Sequence, residues 1–283
     1  MTTDQQPPGP PLPPDENQLM AERREKLQVL RERMEPQRQQ MEQQLGPLVL
    51  SLAAAQLLRQ ALSKVGATLR TDTDVLARIW PDRAGLPDQP VYEHQAPHAC
   101  ATRRDKLARL RAAMADQAAT QHFISTVDDI AWLFNLRGAD VPYNPVFLAH
   151  ALISAEQATL FVADGKVPAE LAARLQADGV RVRPYGQASE ALAALDAGAV
   201  LLLDPKRVTL GLRESVPASV KVIEAINPSV LQKSRKSAAE AEHVRQAMAQ
   251  DGAAMCEFYA WFEAALARER ITELTIDERL SAA

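Results

Sequence analysis

The sequence predicts an α/β fold on three observations. Segments of helical period alternate with strand-like runs from Arg103 to Ile226, at lengths typical of α/β domains. Glycine and proline punctuate them where elements must begin or end, as at Pro168 and Gly179. The 283 residues are 47% hydrophobic and 24% charged, enough apolar side chain for one or two cores.

The N-terminal third is irregular. Within residues 1–45, "PPGPPLPP" fixes φ and removes backbone donors, so this tail is expected to be extended or disordered, and a charged helix follows from Leu19 to Leu45. Its stripe of Leu27, Leu30 and Met34 is thin, and Pro36 interrupts it. From Pro47 a short β-like run leads into a helix over Ser51 to Val65, stopped by Gly66, and a second strand-like segment comes next. Pro81, Pro87 and Pro90 mark a linker over residues 81–102.

The central domain is read over 103–230. Arg103 to Ala115 is a helix with Leu107, Leu110 and Met114 on one face, "HFIST" is a strand, and a helix opens at Asp128. "NPVFLAHALIS" and "ATLFVAD" form two strands joined at Ala155 to Gln157. A helix over Pro168 to Ala177, a strand over Val180 to Tyr185 and a helix over Ser189 to Leu195 precede the strands "AVLLLD" and "VKVIEAI". Pro228 opens another linker, in which "QKSRKS" reads as a solvated basic stretch. Ser237 to Arg268 is one long helix with an apolar stripe of Val244, Met248, Met255, Phe258, Tyr259, Phe262 and Leu266. A last helix has Thr275 as N-cap, with Glu278 completing a capping box.

Composition excludes some functions. A net charge of -4 offers no global attraction to nucleic acid or anionic lipid. No apolar run is long enough to span a bilayer and no basic start precedes an apolar stretch, so the reading is cytoplasmic. Cys100 and Cys256 are too few for a disulfide framework and are expected as free thiols. No phosphate loop, nucleophile elbow or zinc-protease helix motif is present. "HQAPHAC" brings His94, His98 and Cys100 close in sequence, but Pro97 forbids the helix that would align them as metal ligands. Asp128 and Asp129 suit the positive end of a helix dipole.

The most informative stretch is "DDIAWLFNLRGADVPYNPVF", from Asp128 to Phe147. Asp129, Ile130, Trp132, Leu133, Asn135, Arg137, Gly138, Asp140, Asn144, Pro145 and Phe147 in this order resemble the middle domain of the three-domain aminopeptidase P (Xaa-Pro aminopeptidase) enzymes. "ITELTIDE" and "DGAAMCEFYAWFE" resemble the opening of that family's catalytic domain. "VLARIWPDRAGLP" is similar to its linker and "VLSLAAAQLLRQAL" to the close of its first domain. The resemblance implies a creatinase/prolidase N-terminal-like fold, a mixed central sheet flanked by helices, with long helices at the C-terminus. It assigns 46–80 to a remnant of the first such domain, 103–230 to a complete second one, and 231–283 to the start of a pita-bread metallopeptidase domain.

The family's activity is removal of the residue preceding proline at a peptide N-terminus, with two manganese or zinc ions. Its metal ligands, two Asp, one His and two Glu, have no counterpart here. The resemblance therefore implies a truncated homologue that binds no metal, carries no catalytic residue and is inactive alone. A different expectation is a non-catalytic interaction protein that pairs with a full-length relative, or with itself, through the helix 237–268.

Without the family, the same stretch reads as a helix stop joined to a stiff loop. Ser125 or Thr126 caps the helix, Gly138 ends it in a left-handed conformation, and Pro142 and Pro145 stiffen the segment beyond. Arg137, Asp140 and Asn144 either bond the loop's own backbone or face a substrate cleft.

Overall fold

A computed structural model describes residues 50–71, 79–80, 82, 85–266 and 268–282. The expected Pro-rich tail and the helix from Leu19 to Leu45 lie outside the described residues. The chain divides into two units, one of Met1–Leu50 with Ala54–Arg83, the other of Ser51–Ala53 with Ala84–Ala283. Helix α1 (Leu52–Ser63), which belongs to the first unit from Ala54 onward, runs to a glycine at positive φ, Gly66, as the sequence predicts. Ala67–Thr71 is irregular, in place of the expected strand.

The second unit is built on a six-stranded mixed sheet. Its strands are β2 (Gln121–Ile124), β4 (Ala149–Ser154), β5 (Ala158–Val162), β6 (Val180–Pro184), β7 (Val200–Leu203) and β8 (Lys221–Glu224), in the order β6-β5-β4-β2-β7-β8. β4 runs antiparallel to both β2 and β5, and the hairpin between β4 and β5 is tight enough for consecutive strands to pair. The outer pairs are parallel, so each needs a crossover. Helix α4 (Ala169–Ala177) supplies it between β5 and β6, and α6 (Leu210–Glu214) between β7 and β8. The mixed sheet flanked by helices is thus as expected. Helix α6 has no signature in the sequence, because five residues show too little periodicity.

Strand alternation assigns the two faces. Ile124, Leu202, Ile153 and Leu160 join Leu107, Leu110 and Met114 of helix α2 (Arg103–Asp116) and Leu171 and Leu175 of α4 in one core. The opposite face buries Phe123, Phe161 and Leu203, and α5 (Ala188–Ala193) packs there with Leu192 inside.

The C-terminal part keeps the expected long helix from Ser237 and departs from expectation on either side of it. Pro228 starts helix α7 (Pro228–Ser234), with proline in its first turn where a missing N–H costs nothing, so this stretch is no linker. Helix α8 (Ala238–Ala265) begins with the capping box of Ser237 and Glu240, and Gly252 does not break it. Helix α9 (Glu273–Ala282) starts a turn before the expected cap, because the Thr272 hydroxyl, not that of Thr275, accepts from the backbone N–H of Thr275. Of the apolar stripe on α8, Phe258 is buried, whereas Val244, Met248, Tyr259 and Leu266 are about half exposed or more.

Candidate functional site

The site grows from helix α3 (Val127–Leu133). Thr126 is its N-cap residue, one of the two expected, but the side chain makes no capping hydrogen bond to the helix. The Thr126 hydroxyl instead accepts from the Asn227 amide at 3.1 Å, and Ser125 Oγ lies 2.9 Å from His150 Nδ1. The two acids of the first turn do more than face the dipole. Asp129 is fully buried and pairs with Lys233 Nζ at 2.8 Å, and Lys233 also pairs with Asp128. Burial pulls the Lys233 ammonium down, but its bonds to both carboxylates outweigh that and raise it. Lys233 belongs to the basic stretch expected to be solvated, and here it ties α7 to α3.

The helix ends at Asn135, which takes the left-handed conformation at φ 52°, in the place expected of Gly138. Asparagine tolerates this region because its short polar side chain bonds locally. Asn135 Oδ1 accepts from Lys106 Nζ at 2.6 Å, and its amide donates to the Ala101 carbonyl at 2.8 Å. Gly138 is required for a different reason. A Cβ there would sit 2.7 Å from Phe147 Cβ and 3.2 Å from the Val146 carbonyl, so the loop's two arms approach too closely for any side chain.

Strand β3 (Leu136–Arg137) then pairs with β1 (Tyr92–Glu93), bringing the histidine-rich stretch beside the loop. Arg137 is half-buried and its guanidinium donates to the carbonyls of Ala131 and Leu136 at 3.0 and 2.8 Å. Burial lowers its pKa, with Tyr92 acting the other way. Lys106, also buried, lies 4.4 Å from the Trp132 ring centroid and is lowered to about 8, chiefly by burial. His94 is pushed down by burial and then by Arg137, His98 and Lys106. The result is a compact cationic corner.

Asp140 is held inside the protein. One carboxylate oxygen pairs with Lys166 Nζ, both side chains being at most 1% exposed, and the other accepts from the Leu148 N–H at 2.7 Å. Lys166 Nζ also donates to the Pro87 carbonyl at 3.1 Å. Asn144 is exposed at the tip, where its N–H bonds the Val141 carbonyl at 3.2 Å. The three candidates therefore part company: Arg137 and Asp140 bond their own loop and its neighbours, and Asn144 faces outward. Beside Asn144 stands Tyr143, left-handed at φ 60° and fully exposed. Residue identity alone marked neither Tyr143 nor Lys166, since both depend on what the fold places around them.

The histidine-rich stretch is a loop, as Pro97 requires. The rings of His94 and His98 are 6.0 Å apart, His243 on α8 lies 5.7 Å from His98, and its Nδ1 is 3.7 Å from Cys100 Sγ. Among the described residues no group of three or more His, Cys, Asp and Glu is arranged to hold a metal ion. Cys100 and Cys256 are both free thiols. Among the same residues no helix is long and apolar enough to cross a membrane.

Comparison with known proteins gives this geometry a context. Residues 82–240 match the family model described as the creatinase/prolidase N-terminal domain. A probable Xaa-Pro aminopeptidase P of Leptosphaeria maculans is 33% identical over 227 residues, covering 77% of this chain and 37% of that protein. Its counterpart in Botryotinia fuckeliana is 32% identical over 246 residues, covering 83% of this chain and 38% of its own. The chain thus spans well under half the length of these curated relatives. The crystal structure of X-prolyl aminopeptidase from Caenorhabditis elegans, a cytosolic enzyme with a di-nuclear active site, gives a TM-score of 0.75 at 21% identity. That match covers 84% of this chain and 40% of the other, and at such identity it is a likeness of fold.

Proposed function

We propose a function from one premise: this chain belongs to the creatinase/prolidase N-terminal domain family, among the Xaa-Pro aminopeptidases P. It serves as the substrate-shaping, non-metal portion of a peptidase that removes the residue ahead of proline. The observation that carries this reading is the loop from Gly138 to Leu148, whose arms lie against each other at Gly138 and Phe147 and which a buried ion pair at Asp140 anchors to the fold.

In such an enzyme two metal ions would hold the nucleophilic water and polarise the scissile carbonyl. The described residues offer no grouping that fits them, so no step is assigned to metal ions held by these side chains. The residues of this chain act by placement: Arg137 and Lys106 keep the corner cationic, and Asp140 fixes the loop.

Two assays test the reading. The purified chain, supplied with manganese or zinc, is expected to leave an Xaa-Pro peptide intact. The same chain substituted for the matching part of the Leptosphaeria maculans relative is expected to restore cleavage before proline. Turnover by the chain alone, or a folded chimera without activity, overturns it. The half-exposed stripe of Val244, Met248 and Tyr259 supports a second reading, in which α8 mediates pairing with a relative or a second copy.

A further inference from the structure

We propose that Cys100, His98 and His243 form a binding site for a single thiophilic metal ion of the zinc class, which ties the loop after β1 to helix α8.

The first observation is a pair of donors. Cys100 Sγ and His243 Nδ1 come from elements 143 residues apart and stand 3.7 Å from each other. Zinc takes thiolate sulfur at about 2.3 Å and imidazole nitrogen at about 2.0–2.1 Å in tetrahedral geometry, which sets two such donors roughly 3.5 Å apart. The pair is at chelating separation as it stands. The other neighbours of the thiol are the Pro97 and His98 carbonyls at 3.6 and 3.8 Å, and a thiol is too weak a donor to be fixed by them.

The second observation supplies a third ligand. The ring centroid of His98 lies 5.7 Å from that of His243, and two imidazoles on one zinc ion have centroids roughly 5 Å apart by the same bond lengths. Without the ion, the described residues hold no converged group of three donors. His98 is exposed, so a change of its side-chain rotamer is free to bring the ring to the pair. His94 meets the cluster through His98, its ring 6.0 Å away, and is not needed as a ligand.

The third observation concerns access and charge. Cys100 and His243 are partly exposed, and a cleft of about 300 Å³ reaches Cys100, with His94 and Arg103 also on its wall. An ion can enter there, and water can fill the fourth position. Lys106 is close enough to Cys100 to feel its charge, and a bare dication would be repelled by it. Binding releases the Cys100 proton to solvent, and the thiolate left on the metal offsets half of the ion's charge. Glu240, a turn before His243 on α8, adds a second negative charge near Lys106. Sulfur and imidazole select zinc over magnesium or calcium, which require oxygen ligands.

The experiment uses the full chain, reduced and stripped of metal, with cobalt(II) as the spectroscopic probe. A single equivalent is expected to bind with a Kd on the order of micromolar. It should give thiolate-to-cobalt charge transfer in the near ultraviolet and the intense visible bands of tetrahedral cobalt, and yield to zinc but not to magnesium. Cys100→Ser, with its metal-free thermal melt unchanged, is expected to abolish the charge-transfer band. Cys256→Ser, at the other free thiol, is expected to leave it intact. His98→Gln and His243→Gln should each weaken binding by more than about tenfold, beyond the least that loss of an outer partner costs. Zinc should also slow amide exchange in residues 94–100 and in the first turns of α8, because the ion joins them. Binding without a thiolate band, a band that survives Cys100→Ser or falls with Cys256→Ser, or full affinity in either histidine variant overturns the proposal. So does a Kd weaker than about 100 µM.

Discussion

Asp140 and Lys166 form an ion pair in which neither side chain is more than 1% exposed, joining the loop after β3 to the turn after β5. Lys166 closes the junction through the Pro87 carbonyl, and its own carbonyl accepts from the Val91 N–H at 2.8 Å. Removing one partner strands a buried charge. Asp140→Ala is expected to cost about 3–5 kcal/mol in urea unfolding, and Asp140→Leu with Lys166→Met to recover most of it. A loss under about 1 kcal/mol for Asp140→Ala would show that water already reaches the pair.

Gly138→Ala tests the closeness of the loop's arms. The new Cβ meets Phe147 Cβ at 2.7 Å, so the backbone must shift at an expected cost of about 1–3 kcal/mol. Phe147→Leu should not relieve it, because the colliding atom is the Cβ that leucine keeps. Rescue by leucine in a thermal melt would place the clash in the ring instead.

The clamp between helices gives a graded series. Lys233→Met leaves Asp129 buried without its cation and is expected to cost about 3 kcal/mol. Asp128→Ala, at a half-exposed position, should cost under about 1 kcal/mol. Equal losses would mean that Asp129 draws no stability from Lys233.

Two buried histidines set an acid-side pH dependence. Burial pushes both His122 and His150 down to about 4, below the unfolded value of 6.5. Between these values the unfolded chain binds more protons than the native one. The stability they contribute is therefore complete above pH 6.5 and declines as pH falls toward 4, by roughly 3 kcal/mol for each at most. His150→Asn, which keeps a polar atom near Ser125, should remove about half of that slope. Glu93 and Asp128, both lowered by their cationic partners against the opposing effect of burial, lose their share only at lower pH.

The stripe on α8 predicts association. Sedimentation at micromolar concentration should show species larger than one chain, and Met248→Glu with Tyr259→Glu should abolish them, since a charge on each half-exposed position repels a facing copy. A monodisperse monomer before substitution would show that this face stays in water.

Local signals in the sequence determined a good deal of this protein. The mixed α/β order of elements, the stiff proline-flanked loop and the long helix from Ser237 all arise from periodicity and turn chemistry within a few residues, whereas the helix stop fell at Asn135 and not Gly138, and the capping box at Ser237 and not Thr275. The stretch from Asp129 to Phe147 even carries the family, because its residue types are fixed by a helix end and a loop that must fit each other. What only the tertiary structure decided are the partners across long separations: Lys233 on the acids of α3, Lys166 on Asp140, and Phe147 against Gly138. Each depends on which strands pair and which helices cross, and a charged residue looks alike in sequence whether water or a buried carboxylate awaits it. The same holds for Tyr143. Its identity and its prolines were legible, but its left-handed φ and full exposure exist only once the loop's arms have closed beneath it.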